Sequence, residues 1–437
     1  MELRRALRIT TNSIRVAFAG AGGKTSAMFQ LAQEMEPPVI VASTTHLGAW
    51  QIPLADHHAI AENASALEGT NFDGVTLITG PLEGDRTAPL NENILSWLRK
   101  ESEKKSIPLL IEADGARQKP LKAPAGHEPP IPKWVDLTVY VCGLSAIGKP
   151  LTDENVHRPE LFAKASGLRA GELITPQSIR RMLLNPEGGM KNSPPQARRA
   201  VLLNQADTPE VQSIAGKMSR ELLSAYDAAL IASLQNRTIH AVHEPIAGII
   251  LAAGESKRFG RPKQLLEWRG QPFVRAVAKT ARKAGLSPVI IVTGADAEQV
   301  EGAVHDLDVK IVRNKDWRNG QSASLHAGLR ALPPRTAAAL FLLADQPQIP
   351  LEVIRALAET HARGLSPILA PLVREERRAN PVLFDRITFD DLLKLEGDIG
   401  GRAIFSKYKV EFLPWHDDML LLDVDKPEDY AHIKELE

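Results

Sequence analysis

The feature that most constrains this chain is a set of short, almost wholly apolar segments recurring along its length. Each is followed by a turn and then, in most cases, an amphipathic stretch. Residues 14–18, 39–42, 75–78, 109–111, 138–141 and 201–203 make up a first set, and residues 248–251, 289–292, 309–312, 339–343 and 420–424 a second. Residues 91–105, 209–226, 273–284 and 351–361 carry helical spacing between them. A strand that is apolar on both faces needs cover on both faces. The pattern therefore predicts mostly parallel sheets between helical layers, the α/β class. At ~150 residues per domain, 437 residues make two or three such bodies.

The boundary is set by composition. Residues 185–195 hold three prolines and two glycines and read as a loop. Residues 229–232 read as one more strand. The polar stretch 235–245 then ends at Pro245, and a new strand with a glycine-rich turn starts at once. These signals predict two doubly wound domains, residues 1–243 and 244–437.

Charge and composition exclude several classes. Lys plus Arg and Asp plus Glu are both 53, so the net charge is zero and no whole-protein field draws nucleic acid or an anionic membrane. Aromatics at 5% disfavour a base-stacking strand binder. The single cysteine, Cys142, excludes a disulfide framework and any thiolate cluster. The longest apolar run, 337–344, is too short to cross a bilayer, and no signal peptide is readable behind Arg4, Arg5 and Arg8. The expectation is a cytoplasmic protein without nucleic acid or membrane partners.

The strongest chemical signal is Leu251-Ala252-Ala253-Gly254-Glu255-Ser256-Lys257-Arg258-Phe259-Gly260-Arg261-Pro262-Lys263, directly after a buried strand. Ala252, Ala253 and Gly254 let a flat base and ribose approach the backbone, whose N–H groups can bond to them. Arg258 and Lys263 supply cations for triphosphate oxygens. The spacing G-x-S-x-R-x-G-x-x-K is neither a dinucleotide fingerprint nor a Walker loop. Asp345 follows another buried strand, at its carboxyl end, where ligands of open α/β sheets sit.

This segment resembles the signature of the MobA-like nucleotidyltransferase superfamily. The likeness continues through Asn314-x-x-Trp317-x-x-Gly320-x-x-x-Ser324-Leu325, Leu343-Ala344-Asp345-Gln346-Pro347 and Asp423-Val424-Asp425-Lys426-Pro427. The resemblance implies that Leu251, Ala252, Ala253, Gly254, Asn314, Gly320 and Ser324 contact nucleotide. It also implies that Asp345 binds Mg²⁺, with Asp425 completing the metal site and Asp423 adjacent. Residues 261–266, Asn380-Pro381-Val382-Leu383-Phe384 and Gly397-Asp398-Ile399-Gly400-Gly401-Arg402 look like the molybdenum cofactor cytidylyltransferase branch. That branch joins CMP from CTP to the phosphate of molybdopterin cofactor and releases pyrophosphate. The likeness implies acceptor contacts at Asn380, Pro381 and Asp398, and catalysis by Arg258, Lys263 and Asp345. Transfer to another phosphorylated acceptor and a cofactor carrier or insertion chaperone are the alternatives.

In the first half, a strand at 14–18 leads into Ala19-Gly20-Ala21-Gly22-Gly23-Lys24-Thr25-Ser26 and then a helical stretch. Gly20, Gly22 and Gly23 with a helix start form a phosphate cradle. Lys24 reaches the β- and γ-phosphates of ATP or GTP, and Thr25 ligates Mg²⁺. Phe18 stands where a full Walker spacing has glycine, so the loop is a shortened one of the sort seen in Mur ligases. Leu109-Leu110-Ile111-Glu112-Ala113-Asp114-Gly115 ends an apolar strand in acids, as a Walker B strand does, and either Glu112 or Asp114 is expected to hold the Mg²⁺ shell or orient a water. Asn204-Gln205-Ala206-Asp207 is similar to a guanine-reading N-K-x-D, with Gln205 at the usual lysine, and equally fits an ordinary loop.

Gly20–Ser26, Ser43-Thr44-Thr45-His46, residues 112–116, Lys122-Ala123-Pro124 with His127-Glu128-Pro129, and Val156-His157-Arg158-Pro159 together resemble the YqeC family. The resemblance implies a P-loop-like accessory unit for a selenium-dependent molybdenum hydroxylase, the expected client. His46, His127 and His157 with Glu128 are too widely spaced for a compact metal motif and read as structural or substrate-orienting.

Overall fold

A computed structural model describes residues 1–256 and 259–435. The chain divides into two compact units, Met1–His243 and Glu244–Glu437.

The first unit is built on a nine-stranded sheet. Its strands are β1 (Arg15–Gly20), β2 (Val39–Ser43), β3 (His57–Ile60), β4 (Val75–Thr79), β5 (Leu109–Glu112), β6 (Leu137–Gly143), β7 (Arg198–Asn204), β8 (Ala228–Ser233) and β9 (Thr238–His243). They lie in the order β9-β8-β7-β6-β1-β5-β2-β4-β3. All neighbours run parallel except β8 and β9. The central strands are buried along their lengths, as their unbroken apolar sequences require. Helix α1 (Lys24–Glu34) starts at the end of the glycine turn and buries Ala27, Met28, Phe29 and Leu31. Helix α2 (Glu92–Lys105) begins where Asn91 Oδ1 accepts from Ile94 N at 3.0 Å, and Ile94, Leu95 and Leu98 pack into a core with Ile40 and Ile111. Each such aliphatic side chain contributes ~1.5–3 kcal/mol by leaving water.

The polar stretch expected to be a boundary is partly regular. Thr238–His243 is an antiparallel edge strand, and its polar His240 is met by Ser233 Oγ at 3.0 Å and Gln212 Nε2 at 3.4 Å. A two-stranded parallel ladder, Leu121–Lys122 with Val156–His157, stands apart from the main sheet.

The second unit holds an eight-stranded sheet. Its strands are β10 (Ile246–Ala252), β11 (Val289–Thr293), β12 (Lys310–Arg313), β13 (Ala338–Leu343), β14 (Ile368–Val373), β15 (Arg377–Arg378), β16 (Val382–Asp385) and β17 (Val410–Trp415). The order is β12-β11-β10-β13-β16-β14-β15, with β17 pairing β14. The half around β10 is parallel, whereas β13–β16 and β14–β16 are antiparallel. Helices α4 (Phe273–Lys283) and α6 (Leu351–Gly364) cover one face, α3 (Pro209–Leu222) having belonged to the first unit, and α5 (Gln321–Arg330) covers the other.

One sequence expectation is corrected here. Residues 420–424 are not a strand: Asp418–Leu421 is a short 3₁₀ turn, capped by Asp417 Oδ1 accepting from Met419 N at 2.9 Å. Residues 422–424 are extended without sheet pairing, because the flanking acids favour local capping over a ladder.

Candidate functional sites

In the second unit, β10 and β13 end side by side, and their carboxyl ends open onto a cavity of about 940 Å³. Leu251, Ala252, Ala253, Gly254, Lys263, Gly320, Ser324, Asp345, Asp398 and Asp425 all line it. The turn after β10 is pinned from within. Gln264 Nε2 donates to Gly254 O at 3.2 Å, and Lys263 N donates to Ser256 Oγ at 3.1 Å. Arg258 lies outside the described residues.

Lys263 is the electrostatic centre of this cavity. Its Nζ is 2.7 Å from Asp425 Oδ1 and 3.3 Å from Asp345 Oδ2. Burial works against its charge, but the two carboxylates outweigh that and raise its pKa. Burial pushes the Asp345 carboxyl up, against the pull of Lys263. Asp423 sits one step away, its Oδ1 accepting from Gln346 Nε2 at 2.5 Å.

The other predicted residues are placed as follows. Asn314 does not line this cavity; its Nδ2 donates to Ser324 Oγ at 3.1 Å and so orients a residue that does. Gly320 has φ +98°, and a Cβ there would meet Gly397 C at 2.4 Å, so glycine is required for the contact with the 397–402 segment. That segment is held by Ser322 Oγ donating to Gly397 O at 2.8 Å and Gln321 N donating to Asp398 Oδ1 at 3.3 Å. Asn380 and Pro381 do not line the cavity; Asn380 Oδ1 accepts from Arg402 at 3.2 Å. Trp317, quoted in the motif but given no contact of its own, and Arg318, which the sequence did not single out, line the cavity with the guanidinium 4.4 Å from the ring centroid. Their signal was the aromatic-cation pair inside an otherwise polar turn.

Among the described residues, no group of three or more His, Cys, Asp and Glu side chains is placed to hold a metal unaided. Two carboxylates that both reach one ammonium nonetheless suit Mg²⁺, which takes few protein oxygens and completes its octahedron with water and phosphate.

In the first unit, β1 delivers the glycine turn to a second cavity, about 490 Å³ in volume. Gly20, Gly22 and Gly23 have φ +94°, +82° and +123°. A Cβ on Gly20 would stand 2.2 Å from Val141 O, so the turn packs directly on the end of β6. Lys24 is buried: its Nζ donates to Gly20 O at 2.7 Å and lies 3.5 Å from Asp114 and 3.9 Å from Glu112. Thr25 Oγ1 donates to Glu112 Oε2 at 2.8 Å, and Asp114 Oδ1 accepts from Gly20 N at 3.1 Å. The two acids left open by the sequence thus do different work, Glu112 beside the Thr25 hydroxyl and Asp114 under the turn. Burial raises the Glu112 carboxyl, with Lys24 and Thr25 opposing. A hydroxyl beside a carboxylate at a phosphate loop is a donor set that Mg²⁺ fits.

Behind this turn runs a chain of ions that the sequence did not foretell. Lys122 Nζ is 2.7 Å from Asp114 Oδ2 and 2.9 Å from Glu128 Oε2, and Arg158 grips Glu128 at 2.5 and 3.0 Å. Burial disfavours the Glu128 charge, but the bonds from Arg158 and Lys122 prevail and hold it at about 2. Burial, aided by Arg158, brings His157 down to about 4. Of the Asn204–Asp207 run, Asn204 Nδ2 donates to Gly22 O at 2.7 Å and its Oδ1 accepts from Leu234 N at 3.0 Å. Gln205 lines the cavity, whereas Asp207 is exposed and does not. His46 and His157 line the cavity and His127 does not.

Comparison with known proteins matches one family model to each half. A family described as YqeC protein matches residues 16–160, and a family described as MobA-like NTP transferase domain matches residues 248–412. The chain is 31% identical over 199 residues to the uncharacterized protein YqeC of Escherichia coli, covering 44% of this chain and 75% of that protein. It is 33% identical over 183 residues to nicotine blue oxidoreductase of Paenarthrobacter nicotinovorans, covering 40% and 86%. It is 27% identical over 202 residues to the purine catabolism protein PucB of Bacillus subtilis, covering 43% and 96%.

Proposed function

Because the chain belongs to the YqeC family in its first half and to the MobA-like NTP transferases in its second, we propose that it is a two-part maturation protein for a molybdenum hydroxylase. The second half transfers CMP from CTP to the phosphate of molybdopterin cofactor. The first half binds ATP or GTP on its glycine turn. The observation that carries the transferase reading is the meeting of Lys263, Asp345 and Asp425 beside the small-residue turn Ala252–Gly254.

The reaction asks little covalent chemistry of the protein. An acceptor phosphate oxygen, already anionic, attacks the α-phosphorus in line. The bond to the bridging oxygen breaks, and pyrophosphate leaves with the electron pair. The backbone of Ala252–Gly254 holds the nucleoside, and Lys263 meets the triphosphate charge in a pocket partly shielded from water. Asp345 and Asp425 would hold Mg²⁺, which supplies further neutralisation of that charge. Asp398, fixed against the start of α5 and lining the same cavity, would meet the acceptor.

The test is pyrophosphate release by the full chain with Mg²⁺ and molybdopterin cofactor, comparing CTP, GTP and ATP. Release with CTP, lost in Lys263→Ala, is the expected result. Release with GTP alone overturns the base assignment. Since one relative is named an oxidoreductase, the same samples are monitored for NAD(P)H consumption, and consumption without pyrophosphate release replaces the transferase reading.

A further inference from the structure

In the first unit, β5 lies next to β1, so the segment that follows β5 meets the glycine turn that follows β1. Residues 113–120 run along that turn as a strap. At its start, Ala113 N donates to Phe18 O at 2.8 Å and Asp114 Oδ1 accepts from Gly20 N at 3.1 Å. At its end, Pro120 O accepts from Gly143 N at 2.9 Å, and a Cβ on Gly22 would stand 2.7 Å from that same oxygen. Between the two, Lys122 Nζ donates to Gly115 O at 2.6 Å.

The tip of the strap is strained. Lys119 N donates to Ala116 O at 3.1 Å, closing a turn whose two central residues, Arg117 and Gln118, have φ +49° and +59°. Turns of this kind take Gly, Asn or Asp there, because a longer side chain crowds its own backbone. Core packing does not repay that strain, since both residues are exposed. Placement does: Arg117 and Gln118 line the same cavity as Gly22, Gly23, Lys24 and Thr25.

The cations of the cavity are unequally committed. Lys24 is shared by Asp114, Glu112 and Gly20 O, Lys119 pairs with Asp153 at 2.7 Å, and Arg158 grips Glu128. Arg86 is exposed, on a hairpin hydrogen-bonded to residues 47–49 after β2. Arg117 makes no hydrogen bond or ion pair among the described residues, and its charge reaches Asp153 and His157, the latter on the same cavity wall. Transfer of a γ-phosphoryl group spreads negative charge over the phosphate oxygens, and a lysine already offset by two carboxylates has little left to meet it. A guanidinium without a partner supplies that charge. An adjacent side-chain amide carries both the donor and the acceptor that orient a water.

We propose that the first half hydrolyses the nucleoside triphosphate on its glycine turn, with Arg117 meeting the charge of the departing γ-phosphoryl group and Gln118 orienting the attacking water. This rests on the nucleotide reading of the turn. The water oxygen bonds to the γ-phosphorus, and the bond from that phosphorus to the bridging oxygen breaks. Its electron pair stays with the nucleoside diphosphate, and the protons of the water pass to orthophosphate and solvent.

The experiment uses the full chain without molybdopterin cofactor, so that pyrophosphate from the second half does not enter the readout. MgADP and MgGDP binding are measured by calorimetry, and orthophosphate release is followed with saturating MgATP and MgGTP. The native chain is expected to release orthophosphate from at least one of them. Arg117→Gly is expected to lower kcat by ~10³-fold, the scale of an arginine acting on a transferring phosphoryl group, with nucleoside diphosphate affinity unchanged. Glycine is at ease at positive φ, so this variant relieves the turn, and its urea midpoint should not fall below the native one. Gln118→Gly, relieved in the same way, should also lose turnover and keep its affinity. Three results overturn the proposal: nucleoside diphosphate binding without orthophosphate release by the native chain, native turnover in Arg117→Gly, or a loss of affinity that accounts for its loss of rate. Absence of binding by both diphosphates overturns the nucleotide reading itself, and the proposal with it.

Discussion

The Lys263 ammonium stands 2.7 Å from Asp425 Oδ1, bridging 162 residues of sequence. With Asp345 on its other side, one cation is shared by both carboxylates of the candidate transfer site. Removing it therefore leaves two acids facing an anionic substrate. Lys263→Ala is expected to lower kcat for pyrophosphate release by ~10²–10³-fold, the scale of losing one preorganised electrostatic group. Its melting temperature should stay close to that of the native chain, since the side chain sits at a cavity wall rather than in the core. Near-native turnover would remove Lys263 from the mechanism.

Glu112 gives a pH prediction. Burial raises its pKa, so between the ordinary carboxyl range and the raised value the folded chain binds more protons than the unfolded one. Stability then falls as pH rises across that window. Glu112→Gln removes this slope while keeping an acceptor for Thr25. The stability gap between variant and native protein should widen from pH ~4.5 upward and then level off, read by urea melts across pH. A gap that narrows with rising pH would mean that the carboxylate is stabilised in place.

Gly20→Ala tests the glycine turn. Its φ of +94° strains any other residue, and the added Cβ would overlap Val141 O, a backbone atom that cannot swing away. A loss of at least ~1–2 kcal/mol is expected, with weakened MgADP binding, by denaturant titration and calorimetry. An unchanged midpoint would show that the turn relaxes freely.

His361 and Asp385 supply a case remote from both cavities. His361 Nε2 lies 2.7 Å from Asp385 Oδ2, with both side chains buried. His361→Ala should cost ~2 kcal/mol and leave the KM for nucleotide alone, because it removes a buried hydrogen bond to a carboxyl group. A shifted KM with native stability would contradict that division.

Much of this fold was legible because parallel strands buried on both faces spell themselves out as unbroken apolar runs. β2, β4, β5 and β11 each lie within a residue of their expected bounds. The elements missed obey different rules. β14 contains Pro371, β16 follows Asn380-Pro381, and β17 is only half-buried, so none presents a long apolar run. Residues 420–424 failed in the other direction, their apolar run being covered locally by Asp417 capping rather than by a sheet. At the sites, residues fixed by backbone turns were readable from spacing, as at 20–25 and 251–254. Lys122 and Arg158 were not, because their roles depend on which distant strand ends the sheet order brings together.

Asn204 ties the glycine turn to the far side of the first unit, donating to Gly22 O from 182 residues downstream while accepting from Leu234 N. The turn near the start of the chain thus takes its final set from residues that leave the ribosome long after it. A nascent chain shorter than about 234 residues lacks the Leu234 N–H that holds the Asn204 amide in place against the turn. The geometry of the glycine turn is thus the shared property of the unit's first and last strands.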